Sequence, residues 1–252
     1  MHKQFENQVV LVTGATAGIG RATALAFSRE GARLVISGRN VEAGRRLQQE
    51  LKALGAEAEF VPADVSQEDQ LVHLLEHCLK RFGRLDIAVN SAGIEGQGGS
   101  IMEQTVETYT ATFNANVLGT LLCLKHQLRV MSEQKSGAIV NLSSTMGSHG
   151  NPQAPLYVAS KHAVEGLTKS AALEACRYGV RVNAVAPGPI ATEMLDRIAG
   201  GAENLPKVAA GIPAGRIGRP EEVADAILFM ASPRASYVTG EILHVSGGKT
   251  AM

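Results

Sequence analysis

Short, unbroken apolar runs alternate along this chain with longer stretches in which apolar residues recur every three or four positions. Val9-Val10-Leu11-Val12-Thr13 is the first such run, rich in β-branched residues, as expected of a strand covered on both faces. A helical pattern follows from about Ile19 to Arg29 and is stopped by Gly31. The alternation continues with a strand at Leu34-Val35-Ile36-Ser37, a helix over 41–54, a strand at Glu59-Phe60-Val61 and a helix over 67–82 for which Ser66 is the better N-cap. Asp86-Ile87-Ala88-Val89-Asn90 predicts a fourth strand, 106–131 one long helix, and Ala138-Ile139-Val140-Asn141-Leu142 a fifth strand. A helix running to about Tyr178, a strand over 180–185, a helix over 221–230 and a strand at Ile242-Leu243-His244-Val245 complete the pattern. No linker or repeat interrupts it. Regular β-α alternation implies a parallel sheet with helices on both faces, so the expected fold is a doubly wound α/β domain of the Rossmann type spanning residues 1–252.

Composition narrows the partners. The 252 residues are 45% hydrophobic and 19% charged, and 24 Lys and Arg balance 24 Asp and Glu. A neutral chain has no electrostatic reason to bind nucleic acid or an anionic membrane. Cys78, Cys123 and Cys176 are too scattered for a disulfide framework or metal spacing, and Met1-His2-Lys3-Gln4-Phe5-Glu6 does not read as a secretory leader. These features predict a cytoplasmic protein with no membrane association.

Two motifs carry candidate chemistry. Gly14-Ala15-Thr16-Ala17-Gly18-Ile19-Gly20 joins the first strand to the first helix. Its G-x-x-x-G-x-G spacing is looser than the common dinucleotide fingerprint, and glycines there also serve a tight turn. At the first βα turn, however, they let backbone approach a pyrophosphate that the helix N-terminus favours. Tyr157-Val158-Ala159-Ser160-Lys161 places a phenol and an ammonium four residues apart on one helix face. A nearby cation favours the phenolate, which suits proton transfer to and from an alcohol or carbonyl oxygen. Alone, that pair is a common helix-surface pattern.

Taken together, Thr13-Gly14-Ala15-Thr16-Ala17-Gly18-Ile19-Gly20, Asn90-Ser91-Ala92-Gly93, Ser144 and Tyr157-x-x-x-Lys161 resemble the short-chain dehydrogenase/reductase family in its branch of about 250 residues. The likeness runs from the first strand to Val245-Ser246-Gly247-Gly248, with Ser91 where the family more often has a second Asn. It implies Tyr157 as acid/base, Lys161 as its partner and nicotinamide-ribose contact, Ser144 (rather than Ser143) on the substrate oxygen, and Asn116 (rather than Asn114) holding a water near the lysine. It further implies cofactor contacts from the glycine turn with Thr16 and Ile19, from Asp64 and Val65, from Asn90, Ala92 and Gly93, and from Pro187, Gly188, Ile190 and Thr192. A homotetramer, with the long helices around 106–131 and 156–178 packed between subunits, is also implied.

Cofactor choice rests on Ser37-Gly38-Arg39-Asn40 at the end of the second strand. An acidic residue there would bind the ribose 2′-hydroxyl of NAD; none occurs before Glu42, so Ser37 and Arg39 are expected to grip the 2′-phosphate of NADP. The competing reading has Arg39 stacked on adenine with NAD bound, and Ala17 adds no basic group. His149 and His162 flank the catalytic pair without a third metal ligand. Met194, Leu195 and Ile198 form one apolar face between Pro189 and Gly200-Gly201, which suits a substrate lid at about 190–213. The expected activity is interconversion of a secondary alcohol and a ketone or 3-oxoacyl group, the small-molecule partner being that carbonyl or alcohol. An epimerase or dehydratase holding NAD, and a non-catalytic dinucleotide sensor, are the alternatives.

Overall fold

The computed structural model describes residues 3–251; Met1, His2 and Met252 lie outside the described residues. Seven strands form one parallel sheet: β1 (Val9–Thr13), β2 (Arg33–Gly38), β3 (Ala58–Pro62), β4 (Ile87–Asn90), β5 (Gly137–Leu142), β6 (Val180–Pro187) and β7 (Ile242–Val245). Their order across the sheet is β3-β2-β1-β4-β5-β6-β7. The chain therefore runs outward from β1 to β3 and returns to the other side of β1, leaving a crevice at the carboxyl ends of β1 and β4, where open α/β sheets bind ligands.

The helices are α1 (Gly18–Arg29), α2 (Val41–Ala53), α3 (Glu68–Phe82), α4 (Val106–Phe113), α5 (Gly119–Gln134), α6 (Pro155–Ala175), α7 (Glu193–Ala199), α8 (Leu205–Ala210) and α9 (Pro220–Ala231). Alternate strand residues feed two cores, because successive side chains point to opposite faces. Val10, Val12, Leu34 and Ile36 pack with Phe27 of α1, Leu47 of α2 and Ile227 of α9. Val9, Leu11 and Val35 pack with Leu71 of α3, Leu122 of α5 and Ala172 of α6 on the other face. The doubly wound Rossmann-type arrangement is the one the apolar runs predict. No helix of the described residues is long and apolar enough to cross a membrane.

Three local readings change. The stretch 106–131 is not one helix: a π-helical turn, Asn114–Leu118, separates α4 from α5. The extra residue per turn leaves no mark in hydrophobic periodicity, and such bulges concentrate at functional sites. Ser66 does not cap α3; its backbone N–H and its hydroxyl both donate to Asp64 Oδ1, at 3.0 and 2.8 Å, and the cap position falls to Gln67. The helix of Tyr157 ends at Ala175, and Cys176–Tyr178 tighten into a 3₁₀ turn.

Candidate active site

A cleft of about 600 Å³ crosses the carboxyl edge of the sheet. At its centre the chain leaves β1 through Gly14 and Gly18, whose φ angles of +66° and +51° favour glycine. A side chain on Gly14 would stand 2.6 Å from the Ala92 backbone nitrogen, and one on Gly20 would collide with the Gly14 carbonyl. These glycines thus let the β1 and β4 turns close on each other at the start of α1. Ala17, at the α1 N-cap, contributes no side-chain hydrogen bond, so the first-turn N–H groups have no side-chain acceptor from that position. Bare backbone, an uncapped helix start and an elongated crevice fit the pyrophosphate of a dinucleotide.

Most residues assigned to the cofactor from the sequence line this cleft: Gly14, Thr16, Gly18, Ile19, Gly20, Arg39, Asp64, Val65, Ala92, Gly93, Pro187, Gly188, Ile190 and Thr192. Two do not. Ser37 is buried inside β2, in register between Thr13 and Val61, and does not line the cleft. It stands one residue inside the strand's carboxyl end, whereas Gly38 and Arg39 at that end line the cleft. Asn90 is also buried: its amide donates to Gln127 Oε1 at 3.0 Å and Asn141 Oδ1 at 2.9 Å, and Gln127 donates back at 2.7 Å. It braces β4 against β5 and α5, while its neighbour Ser91, noted in the sequence only as a departure from the family pattern, lines the cleft.

Arg39 projects at the β2 end of the crevice with its side chain 69% exposed, and its nearest carboxylate, Asp64, is 4.0 Å away. Asn40 beside it is occupied as the α2 N-cap, accepting from Ala43 N–H. Thr192 faces the cleft but also caps α7, accepting from Leu195 N–H at 3.3 Å.

The acid/base constellation assembles from β5, α6 and the π turn. Ser144 leaves the end of β5 beside the Tyr157 phenol, and its Oγ accepts from Met146 N–H at 3.2 Å. Ser143 is engaged separately, donating to Glu165 Oε1 on α6 at 2.7 Å. Lys161 is buried, donates to the Leu142 carbonyl at 2.8 Å, and lies 5.5 Å from the Tyr157 ring centre. Asn116 sits in the π turn, where its Oδ1 accepts from Ile94 N–H and its amide donates to the Ile94 carbonyl and to Ser160 Oγ. A methyl on Gly93 would stand 3.0 Å from Asn116 Oδ1 and 3.7 Å from Lys161 Nζ, so both groups converge on that backbone.

Burial dominates the electrostatics. It pushes the Tyr157 phenol up to about 12, the neighbouring Ser144 hydroxyl pulls it back, and the charge of Glu95 adds to the rise. The depression expected from the Tyr–Lys pairing is therefore not produced by the chain's own groups. Burial also pushes the Lys161 ammonium down to about 8, against the charge of Glu165.

The substrate half of the cleft is walled by Ile94, Met146 and the segment after β6, where Met194, Leu195, Ile198 and Val208 face inward. Leu195 is buried and Ile198 half exposed. Arg197 on α7 reaches across to Glu95, with Nε 2.5 Å from Oε1 and Nη2 3.3 Å from Oε2. Burial pushes the Glu95 carboxyl up, but the Arg197 hydrogen bond and charge outweigh it and hold the group below its usual range. Of the two histidines, His162 is bonded through Nδ1 to the Val158 carbonyl on an exposed helix face, and His149 through Nδ1 to the Thr145 carbonyl.

Residues 14–250 match the family model described as enoyl-(acyl carrier protein) reductase. The chain belongs to the short-chain dehydrogenase/reductase family. It is 41% identical over 243 residues to a 3-oxoacyl-(acyl-carrier-protein) reductase of Synechocystis sp., covering 96% of each chain. It is also 41% identical to the cis-4-hydroxycyclohexanecarboxylate dehydrogenase of Sinomonas cyclohexanicum, over the full length of both. Among solved structures, levodione reductase superposes with a TM-score of 0.96 at 34% identity, covering 98% of this chain and 99% of the other. This family member is accordingly an oxidoreductase that uses a nicotinamide cofactor.

Proposed function

We propose that this enzyme interconverts a ketone, or a 3-oxoacyl group, and its secondary alcohol, with NADP(H) preferred over NAD(H) and Tyr157 moving the proton. The observation that carries the reading is the convergence of Ser144, the Tyr157 phenol and the buried Lys161 on one cleft. The bound nicotinamide supplies or accepts the hydride. In reduction the phenol, kept protonated by burial, gives its proton to the oxygen as charge develops there, and Ser144 donates a second hydrogen bond to that oxygen. Lys161 holds a positive charge behind the phenol and stabilises the phenolate left by the transfer. Asn116 keeps the Ile94 loop and the π turn in place beside Lys161, which supports the relay role assigned to it.

The preference for NADP is supported by the exposed Arg39 at the end of β2 and the absence of an acid between Ser37 and Asn40. Apolar walls, and the cyclic and acyl ketone chemistry in the names of the relatives, support an apolar ketone substrate covered by the segment 190–213. A homotetramer in the cytoplasm completes the proposal. It is supported by apolar side chains left exposed on the long helices, including Val106, Tyr109, Leu121 and Leu173, and by three free thiols suited to a reducing compartment.

The test is a panel of ketones, sugars and 3-oxoacyl esters with NADPH and NADH, followed at the nicotinamide absorbance. Turnover of a carbonyl compound supports the reading. A cofactor that co-purifies with no net redox turnover points to an epimerase or dehydratase, and cofactor binding with no turnover across the panel points to a sensor.

A further inference from the structure

Glu165 lies on α6 one helical turn beyond Lys161 and two beyond Tyr157, so the three side chains share a face. It is buried. A buried carboxylate is costly unless it is paired and hydrogen-bonded, so its surroundings show what retains it. Oε1 accepts the 2.7 Å bond from Ser143, the residue that precedes Ser144. The 3₁₀ turn Thr145–Gly147 closes over this pair. Gly147 has to be glycine for that: a methyl there would collide with Glu165 Oε1 and stand 2.6 Å from Ser143 Oγ. The turn is fixed from the other side as well, because Ser143 N–H donates to the Val185 carbonyl of β6 at 2.8 Å and Ser144 Oγ accepts from Met146 N–H.

We infer that Glu165 is a positioning residue of the acid/base site: through Ser143 it holds the turn that presents Ser144, and it sets a negative charge one helical turn from the Lys161 ammonium. This rests on the function proposed above. Among the described residues Glu165 is the charged group that acts on Lys161. The other groups facing this region are accounted for. Tyr157 on the same helix is protonated, Glu95 from the β4 loop acts on Tyr157 and is paired with Arg197, Asn116 is neutral, and Arg181 of β6 is turned to the carbonyls of Met230 and Ala231. Burial alone drives the ammonium toward its neutral form, and the Glu165 charge opposes that. A lysine that must stay charged within a buried site thus has its counter-charge on the next turn of its own helix.

Two variants separate the two roles. Glu165→Gln keeps the size and an acceptor for Ser143 but removes the charge; Ser143→Ala keeps the charge but removes the bond. The Lys161 ammonium is followed by NMR of the 15N-lysine-labelled protein without substrate, and kcat and KM are measured across pH. In Glu165→Gln, Lys161 is expected to titrate about one pH unit lower than in the wild type, with the alkaline fall in kcat displaced by the same amount. Glu165→Asp, which keeps the charge, should restore most of that shift. In Ser143→Ala the Lys161 titration should stay in place while kcat drops several-fold at every pH and the cofactor KM holds. An unmoved Lys161 titration in Glu165→Gln overturns the charge role, and a wild-type kcat in Ser143→Ala overturns the positioning role. If the wild type reduces no carbonyl compound, the proposed function fails, whereas the NMR titration still decides whether Glu165 sets the state of Lys161.

Discussion

Lys161 is a charge held where water is scarce, and that has a consequence for stability. Its pKa falls from the usual lysine value to about 8 in the folded chain through burial, partly offset by Glu165. Below about pH 8 the fold must carry a desolvated ammonium, and between about 8 and the ordinary lysine value the folded chain releases the proton before the unfolded chain does, so this penalty shrinks as pH rises. Lys161→Met should accordingly melt higher than the wild type near pH 6.5, with the gap closing between pH 8 and 10, as scanning calorimetry would show; a pH-independent gap would place the cost elsewhere. Arg39 supplies a second single-residue prediction. Its replacement by Ala should weaken NADP binding by about 1–3 kcal/mol, as for a lost charge-assisted hydrogen bond, and leave NAD nearly unaffected. Equal weakening of both, measured by titration calorimetry, would assign Arg39 to adenine or to structure. At this scale the sequence separates residue types but not their partners. Arg39 and Ser37 look equally placed in the string, yet Ser37 is paired on both sides within β2 while Arg39 lies beyond the strand's end and is exposed. Asn90 belongs to a recognisable motif, but its bonds to Gln127 and Asn141 join residues 37 and 51 positions away.

Among the elements, strands and most helices are legible because apolar periodicity reports them directly, and the glycine turn and the α6 pair fall where the motifs put them. The π turn is not legible, since Asn114–Leu118 interrupts a pattern that reads as continuous helix. Nor is the Glu95–Arg197 pair, which spans 102 positions. That pair gives the segment after β6 a physical description. Two short helices, α7 and α8, are joined through Gly200 and Gly201 at φ +75° and +126°, rest Leu195 on the cleft, and are tied to the β4 loop by the Arg197–Glu95 pair, exposed on the Arg197 side. Exposed pairs are worth roughly 0.2–1 kcal/mol, so Arg197→Ala should speed hydrogen exchange over 193–210 by about 1.5- to 5-fold, with no change in α6. In the wild type this segment should exchange faster than α6 and slow when cofactor and a substrate analogue are bound. Protection equal to α6 in the free enzyme would make it a fixed part of the core rather than a lid.

For the molecule as a whole, the order β3-β2-β1-β4-β5-β6-β7 puts a dinucleotide-sized crevice beside β1, and the same edge brings Ser144, Tyr157 and Lys161 into it. Light scattering should report four chains per particle; a monomer would leave the exposed apolar side chains of α4, α5 and α6 without their proposed cover. The central claim, that this crevice reduces a carbonyl group with Tyr157 as the proton donor, is tested most directly by Tyr157→Phe. The substitution removes one hydroxyl and leaves the glycine turn and Arg39 untouched. NADPH binding should persist, while turnover of a ketone that the wild type reduces falls on the order of 10²–10⁴-fold. Turnover equal to the wild type in that variant would contradict the account.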